Sequence, residues 1–214
     1  GDRRQRQMCI RDRIRPIENY VDFDSWPLSD LFENLVEISS YEGVIYGVPQ
    51  DAESRPFFAW IPHLKAIGYS DSDIRAMPGK VQRKEYTLDD VLNDAKKIQD
   101  AGLVKPGYGW YPRVSRGGDY WQFYQSFGGE MLDSNSGKLI FDRNAMKNFY
   151  AFFVKAVEMG VTRKNHIGTP WDQWYSEVAS GKAGLWHGGT WHYARYTGKE
   201  KLKDFFGNIM FSLI

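Results

Sequence analysis

The sequence predicts an α/β fold, helices alternating with short strands, and three observations lead to it. Residues 87–102 (TLDDVLNDAKKIQDAG) and 143–160 space their apolar side chains as helices do. Residues 183–187 (AGLWH) form a short apolar and aromatic run that Gly188 and Gly189 close, as a buried strand would read. Residues 171–180 before it and the polar, aromatic run after it complete a helix, strand, turn, helix succession. At 214 residues the chain can form one large domain or two small ones with a sizeable core.

Taken in order, residues 7–13 (QMCIRDR) match the translation of a transposon-end sequencing adaptor, so residues 1–13 are read as foreign to the protein. Cys9, the single cysteine, goes with them, which excludes a disulfide scaffold, a zinc ribbon and a thiol enzyme. Residues 14–38 read as a loop and an amphipathic helix with Ser29 as N-cap. In 50–60 (QDAESRPFFAW), Asp51 and Glu53 lie at i and i+2, so an extended chain turns both carboxylates to one side, ready to accept hydrogen bonds from hydroxyls or simply solvated. Residues 69–85, with Pro78-Gly79, read as an irregular loop.

The clearest helix is 87–102: Thr87 and Asp90 form a capping pattern, Leu88, Val91, Leu92, Ala95 and Ile98 make the apolar face, and Gly102 stops it. Residues 108–116 read as a strand entering a loop, where Trp110, Arg116 and Asp119 stand near turn signals at which binding residues concentrate. Trp121, Phe123, Tyr124 and Phe127 read as core. Residues 128–142 read as a hairpin, 199–206 as a helix and 208–214 as a strand.

The segment 181–196 (GKAGLWHGGTWHYARY) organises the rest. Its paired glycines let backbone approach a neighbour closely, Thr190 reads as an N-cap, and Trp191 then sits at the start of a helix beyond the carboxyl end of a strand. Ligands of open α/β sheets collect there, so Trp191 is either a stacking surface or a core aromatic.

Several blocks together resemble the extracellular solute-binding proteins of sugar ABC transporters, the maltose-binding-protein-like family 1. Residues 180–191 (SGKAGLWHGGTW), 41–49 (YEGVIYGVP), the 87–102 helix and 128–142 (GGEMLDSNSGKLIFD) are similar to its blocks and occur in its order. Tyr86 stands where the family usually has tryptophan, and the family's first βα units and everything after residue 214 are missing. The resemblance implies a type II periplasmic-binding-protein-like α/β fold, mainly the second lobe with a partial first. It divides the chain into 14–50 (partial first lobe leading to the hinge), 51–207 (second lobe) and 208–214 (a strand returning toward the hinge), a fragment of the whole.

Function follows from the same resemblance: capture of a sugar or oligosaccharide by closure of two lobes, without catalysis or cofactor. The implied partners are the sugar and ABC permease subunits, the protein a monomer, periplasmic or extracellular, its signal peptide outside this sequence. Trp191 would be the stacking surface and Gly188, Gly189 and Thr190 the cleft floor; Trp110, Arg116 and Asp119 would be further contacts, with Asp51, Glu53 and Arg55 on the hinge side.

Composition is compatible with this. A net charge of +1 gives no field for nucleic acid, and no apolar run approaches the roughly 18 residues that span a bilayer. The 16% aromatic content beside Asp, Glu and Arg suits the apolar faces and hydroxyl rims of sugars. Nucleotide, metalloprotease and nucleophile-elbow motifs are missing, and His63, His166, His187 and His192 lack metal-ligand spacing. Micromolar affinity needs about −8 kcal/mol, against roughly 2 from burying one ring face, so one lobe alone is expected to bind weakly or not at all. Two alternatives stay open: a carbohydrate-active enzyme using a carboxylate pair such as Asp51 with Asp119, and a binding protein for a polyamine or phosphate ester.

Overall fold

The computed structural model describes residues 14–213; the reading of residues 1–13 and Cys9 lies outside the described residues. The chain divides into two compact units, the second beginning at Glu53.

In the first unit, α1 (Glu33–Ile38) starts at Phe32, not at Ser29, which falls within the short 3₁₀ turn Leu28–Asp30 that makes no side-chain cap. β1 (Ser40–Tyr41) and β2 (Val44–Ile45) pair antiparallel through a turn in which Glu42 and Gly43 both have positive φ, 52° and 78°. Two consecutive left-handed residues are what a tight two-residue hairpin requires, and glycine takes one of them without strain. Ile17 N–H donates to Ile45 O at 3.0 Å, which ties the preceding loop to the hairpin.

The second unit is built on a three-stranded antiparallel sheet, with β3 (Phe57–Trp60) between β4 (Leu185–His187) and β5 (Ile209–Ser212). β3 is buried throughout, and its alternating side chains enter two cores. Phe57 and Ala59 pack with Leu64, Met77, Leu92 and Ile98 on one side, Phe58 and Trp60 with Trp174, Trp186 and Tyr196 on the other. Covering both faces explains why FFAW is apolar without alternation. Beyond β4, residues 108–111 run parallel to it through the Trp110–Leu185 bridge, the part of the expected 108–116 strand that forms.

Helices cover the sheet. After α2 (Ile61–Ala66), α3 (Asp71–Gln82) occupies most of the segment expected to be irregular. Ser70 and Asp73 form a full capping box, and the burial of Ile74 and Met77 outweighs the hydrogen bond that Pro78 removes. α4 (Leu88–Asp100) starts at the expected Thr87–Asp90 box and buries Val91, Leu92, Ala95 and Ile98. α5 (Trp121–Ser126) and α6 (Arg143–Glu158) follow, Asp142 Oδ1 accepting from Asn144 and Ala145 N–H at 2.7 and 2.9 Å at the start of α6. Between them the expected hairpin is reduced to one bridge, Leu132–Leu139.

α7 (Trp171–Ala179) packs Trp174 and Val178 inward, and α8 (His192–Gly198) follows β4. The helix expected over 199–206 is replaced by a turn with Lys201 and Asp204 at positive φ and then α9 (Phe205–Asn208). β5 then pairs along the whole of β3, from Phe57–Ser212 to Trp60–Ile209.

Candidate functional site

The pairing of β3 with β4 continues past both strands. Gly188 N–H donates to Pro56 O at 3.2 Å and Thr190 N–H to Ser54 O at 3.0 Å, while Ser54 N–H approaches Thr190 Oγ1 at 3.5 Å. Two of the turn's amides are thus spent on the 54–56 segment and are not donors for a ligand. Thr190 is also not the N-cap. Trp191 holds that position, without a side-chain cap, and Thr190 is an exposed residue of the turn.

What the paired glycines admit is the protein's own aromatic rings. A Cβ on Gly189 would lie 1.7 Å from Trp191 Cζ3, and one on Gly188 would lie 2.6 Å from His192 Nε2. Neither position tolerates a side chain while these rings stay in place. Trp191 is half-buried and stacks on His192 with centroids 5.3 Å apart at 26°.

Two guanidinium groups meet the same indole. Arg55, brought there by the 54–56 pairing, lies 5.1 Å from the ring centroid, and Arg113 lies 5.5 Å away. Arg113 is 7% exposed. Its Cζ stands 4.1 Å over Trp171 and 5.7 Å from Trp174, and Nη1 bonds to His192 Nε2. Its carbonyl accepts from the Tyr120 hydroxyl and, at 3.1 Å, from His166 Nε2.

These contacts settle two protonation states. Burial first, and then the Arg113 charge, lowers His192 from 6.5 to about 2, so the ring is neutral and its Nε2 accepts from Arg113. Burial likewise lowers His166 from 6.5 to about 4, and its Nε2 must carry the proton it gives to the Arg113 carbonyl.

The expected site residues therefore separate. Gly188, Gly189, Thr190, Trp191 and Arg55 come together. Trp110 is corrected to core: it is fully buried, stacked on His187 at 5.8 Å and set edge-on to Phe123, because 108–111 adds to the sheet and turns its side chain inward. A ring without accessible surface cannot stack on a ligand. Arg116 is exposed on a groove of about 780 Å³ with Tyr120, Trp121, Phe149, Tyr150 and Phe153. Asp119 belongs to the turn Gly118–Tyr120, and its side chain lies outside the described residues. Asp51 and Glu53 are exposed, Asp51 in the first unit and Glu53 at the start of the second.

Arg113 and Trp171 were not singled out by the sequence. Arg113 stands in YPR, and the rings that hold it lie more than fifty residues further along the chain. His187 and His192 are packed among rings, and among the described residues no group of His, Cys, Asp and Glu could hold a metal ion. No described helix is long and apolar enough to cross a membrane.

The family model described as bacterial extracellular solute-binding protein matches residues 15–211. No curated protein matches the chain in sequence. Among solved structures, maltose-bound MalE3 of T. maritima is similar with a TM-score of 0.71 and 19% identity, over 93% of this chain and 47% of that one. The GacH receptor of Streptomyces glaucescens, solved unliganded and with acarbose, aligns with a TM-score of 0.69 and 17% identity, over 94% and 47%. A solute-binding protein of Agrobacterium vitis with bound D-mannitol gives 0.67 and 21%, over 94% and 45%. The chain thus spans about half the length of these neighbours, and the likeness concerns the fold.

Proposed function

The chain belongs to the bacterial extracellular solute-binding proteins, and from that premise we propose that it supplies one wall of a sugar-binding cleft serving an ABC importer. The observation that carries this is the Trp191 indole, half-buried beyond the carboxyl end of β4, with the guanidinium groups of Arg55 and Arg113 at 5.1 and 5.5 Å from its centroid. A partly open indole offers an apolar face to the C–H face of a sugar, and guanidinium N–H groups beside it donate to ring hydroxyls. Maltose, acarbose and D-mannitol are bound by similar proteins, which supports a neutral sugar or polyol as the ligand class.

Arg116 and Asp119 contribute from the 112–120 loop, and Asp51 and Glu53 from the hinge side, with Gly188, Gly189 and Thr190 holding the turn. Closure of the first lobe over this surface supplies the remaining contacts, and the ligand selects the closed state. The protein is exported behind a signal peptide and acts as a monomer that delivers its sugar to permease subunits. Neither catalysis nor a cofactor is part of the cycle.

Titration calorimetry of the complete protein against a panel of maltose, maltotriose, D-mannitol and D-tagatose tests this. One or more should bind at micromolar affinity and be recovered unchanged. Hydrolysis of an aryl glycoside would point to the carboxylate-pair enzyme instead.

A further inference from the structure

Trp191 is reached by Arg113 along two routes, directly at 5.5 Å from its centroid and through His192, which accepts from Arg113 and stacks on Trp191 at 5.3 Å. The other end of the arrangement is anchored. Trp171 takes the guanidinium plane at 4.1 Å, and Trp174, fully buried in α7, gives its Nε1–H to Pro112 O at 3.0 Å. The Arg113 backbone is held as well, its carbonyl accepting from Tyr120 and His166. A cation pinned at its backbone and at Trp171 has little freedom to follow Trp191; the indole has to follow it.

We propose that Arg113 is the positioning residue of the ligand surface: by stacking on Trp171 and donating to His192 it fixes the plane of the Trp191 indole before a ligand arrives. The proposal rests on the reading of Trp191 as the stacking surface. The chemistry demands arginine. A planar guanidinium stacks and donates at its edge at once, whereas an ammonium on a flexible stem cannot do both in one place. Neutral His192 is part of the device, because a protonated ring would have no lone pair for Arg113 and would set two cations side by side. The glycines complete it, since Gly188 leaves room for His192 and Gly189 for Trp191. Preorganisation of this kind lowers the ordering cost that a ligand would otherwise meet on binding.

The test uses the complete protein labelled with 5-fluorotryptophan, the Trp191 ¹⁹F resonance being the one lost in Trp191→Phe. In Arg113→Lys and Arg113→Met, without sugar, that resonance should shift and broaden, and affinity for the bound sugar should fall about tenfold, a loss that Trp191→Ala should absorb when the substitutions are combined. A Trp191 resonance with unchanged position and width in the folded variants overturns the proposal, whatever happens to thermal stability. If Arg113→Met does not fold, Arg113→Lys, which keeps the charge, decides alone. If Trp191→Ala binds sugar as the wild type does, the stacking reading fails, and the sugar-free resonance still decides whether Arg113 sets the indole.

Discussion

The two faces of β3 solve different problems. On the side of Phe57 and Ala59 the core is largely aliphatic, Leu64, Met77, Leu92 and Ile98 from α2, α3 and α4, and its buried Asp94 ends in a closed network, accepting from Tyr69 at 2.6 Å, Tyr86 at 2.9 Å and Lys97 at 2.9 Å. On the side of Phe58 and Trp60 the packing is aromatic, Trp174, Trp186 and Tyr196, and it abuts a buried cation and a neutral histidine that lead out to a half-buried indole. Non-directional apolar burial supplies stability on the first face. Rings and a guanidinium have preferred mutual geometries, so the second face supplies orientation. Damage to the first should therefore cost stability while sparing recognition, and damage to the second should cost recognition.

The largest expected effect is on the aliphatic face. Leu92 is fully buried, so Leu92→Ala should lower unfolding free energy by about 2–5 kcal/mol in denaturant titrations, with sugar affinity and the Trp191 resonance unchanged in the folded population. Loss of affinity at low temperature in that variant would break the division of labour.

Gly189→Ala attacks the other face. Its Cβ would lie 1.7 Å from Trp191 Cζ3, so the indole must leave. Affinity should fall about 30-fold, as for Trp191→Ala, since one buried ring face contributes about 2 kcal/mol and 1.4 kcal/mol is tenfold.

Acid acts on the second face through stability, with an effect of similar size. His166 and His192 are held neutral, their values lowered from 6.5 to about 4 and about 2, so between pH 6.5 and those values the unfolded chain binds protons that the folded chain does not. Stability contributed by the neutral rings is full above pH 6.5 and is lost as pH falls through this window. Going from pH 7 to pH 5 should cost about 2 kcal/mol through His166, and His166→Asn should weaken the dependence of Tm on pH, leaving the part due to His192. The smallest effect is Thr87→Ala, which removes one half of the α4 capping box and should cost about 1 kcal/mol in thermal melts, without a change in affinity.

The same contrast explains what could be read from the sequence. α4, α6 and β4 were legible because capping residues and apolar periodicity are local signals: Thr87 with Asp90, the apolar spacing of 143–160, and LWH before Gly188-Gly189. α3 was missed because Pro78-Gly79 reads as a breaker, and only tertiary burial of Ile74 and Met77 overrides it. Thr190 was misread as a cap because the hydroxyl's competing neighbour, Ser54, lies far away in sequence. The glycine pair was noticed correctly as a place of close approach, but the approaching groups are Trp191 and His192.

At the site, Trp191 and Arg55 lie side by side at the turn, while Trp110 lies in the core. Nothing local distinguishes Trp110 from Trp191. Each follows a glycine-containing stretch, and burial depends on which of them a sheet covers. Arg113 was invisible for the complementary reason. A buried arginine is recognised by the rings around it, and Trp171, Trp174 and Trp191 are contributed by α7 and the turn after β4.

Calorimetric titration of the wild type and Trp191→Ala in parallel, with whichever sugar of the panel the complete protein binds, is the most direct measurement of the central claim. An affinity about 30-fold weaker in the folded variant is the expected result. Equal affinity in the two proteins would contradict the claim that this indole is the surface on which the ligand stacks.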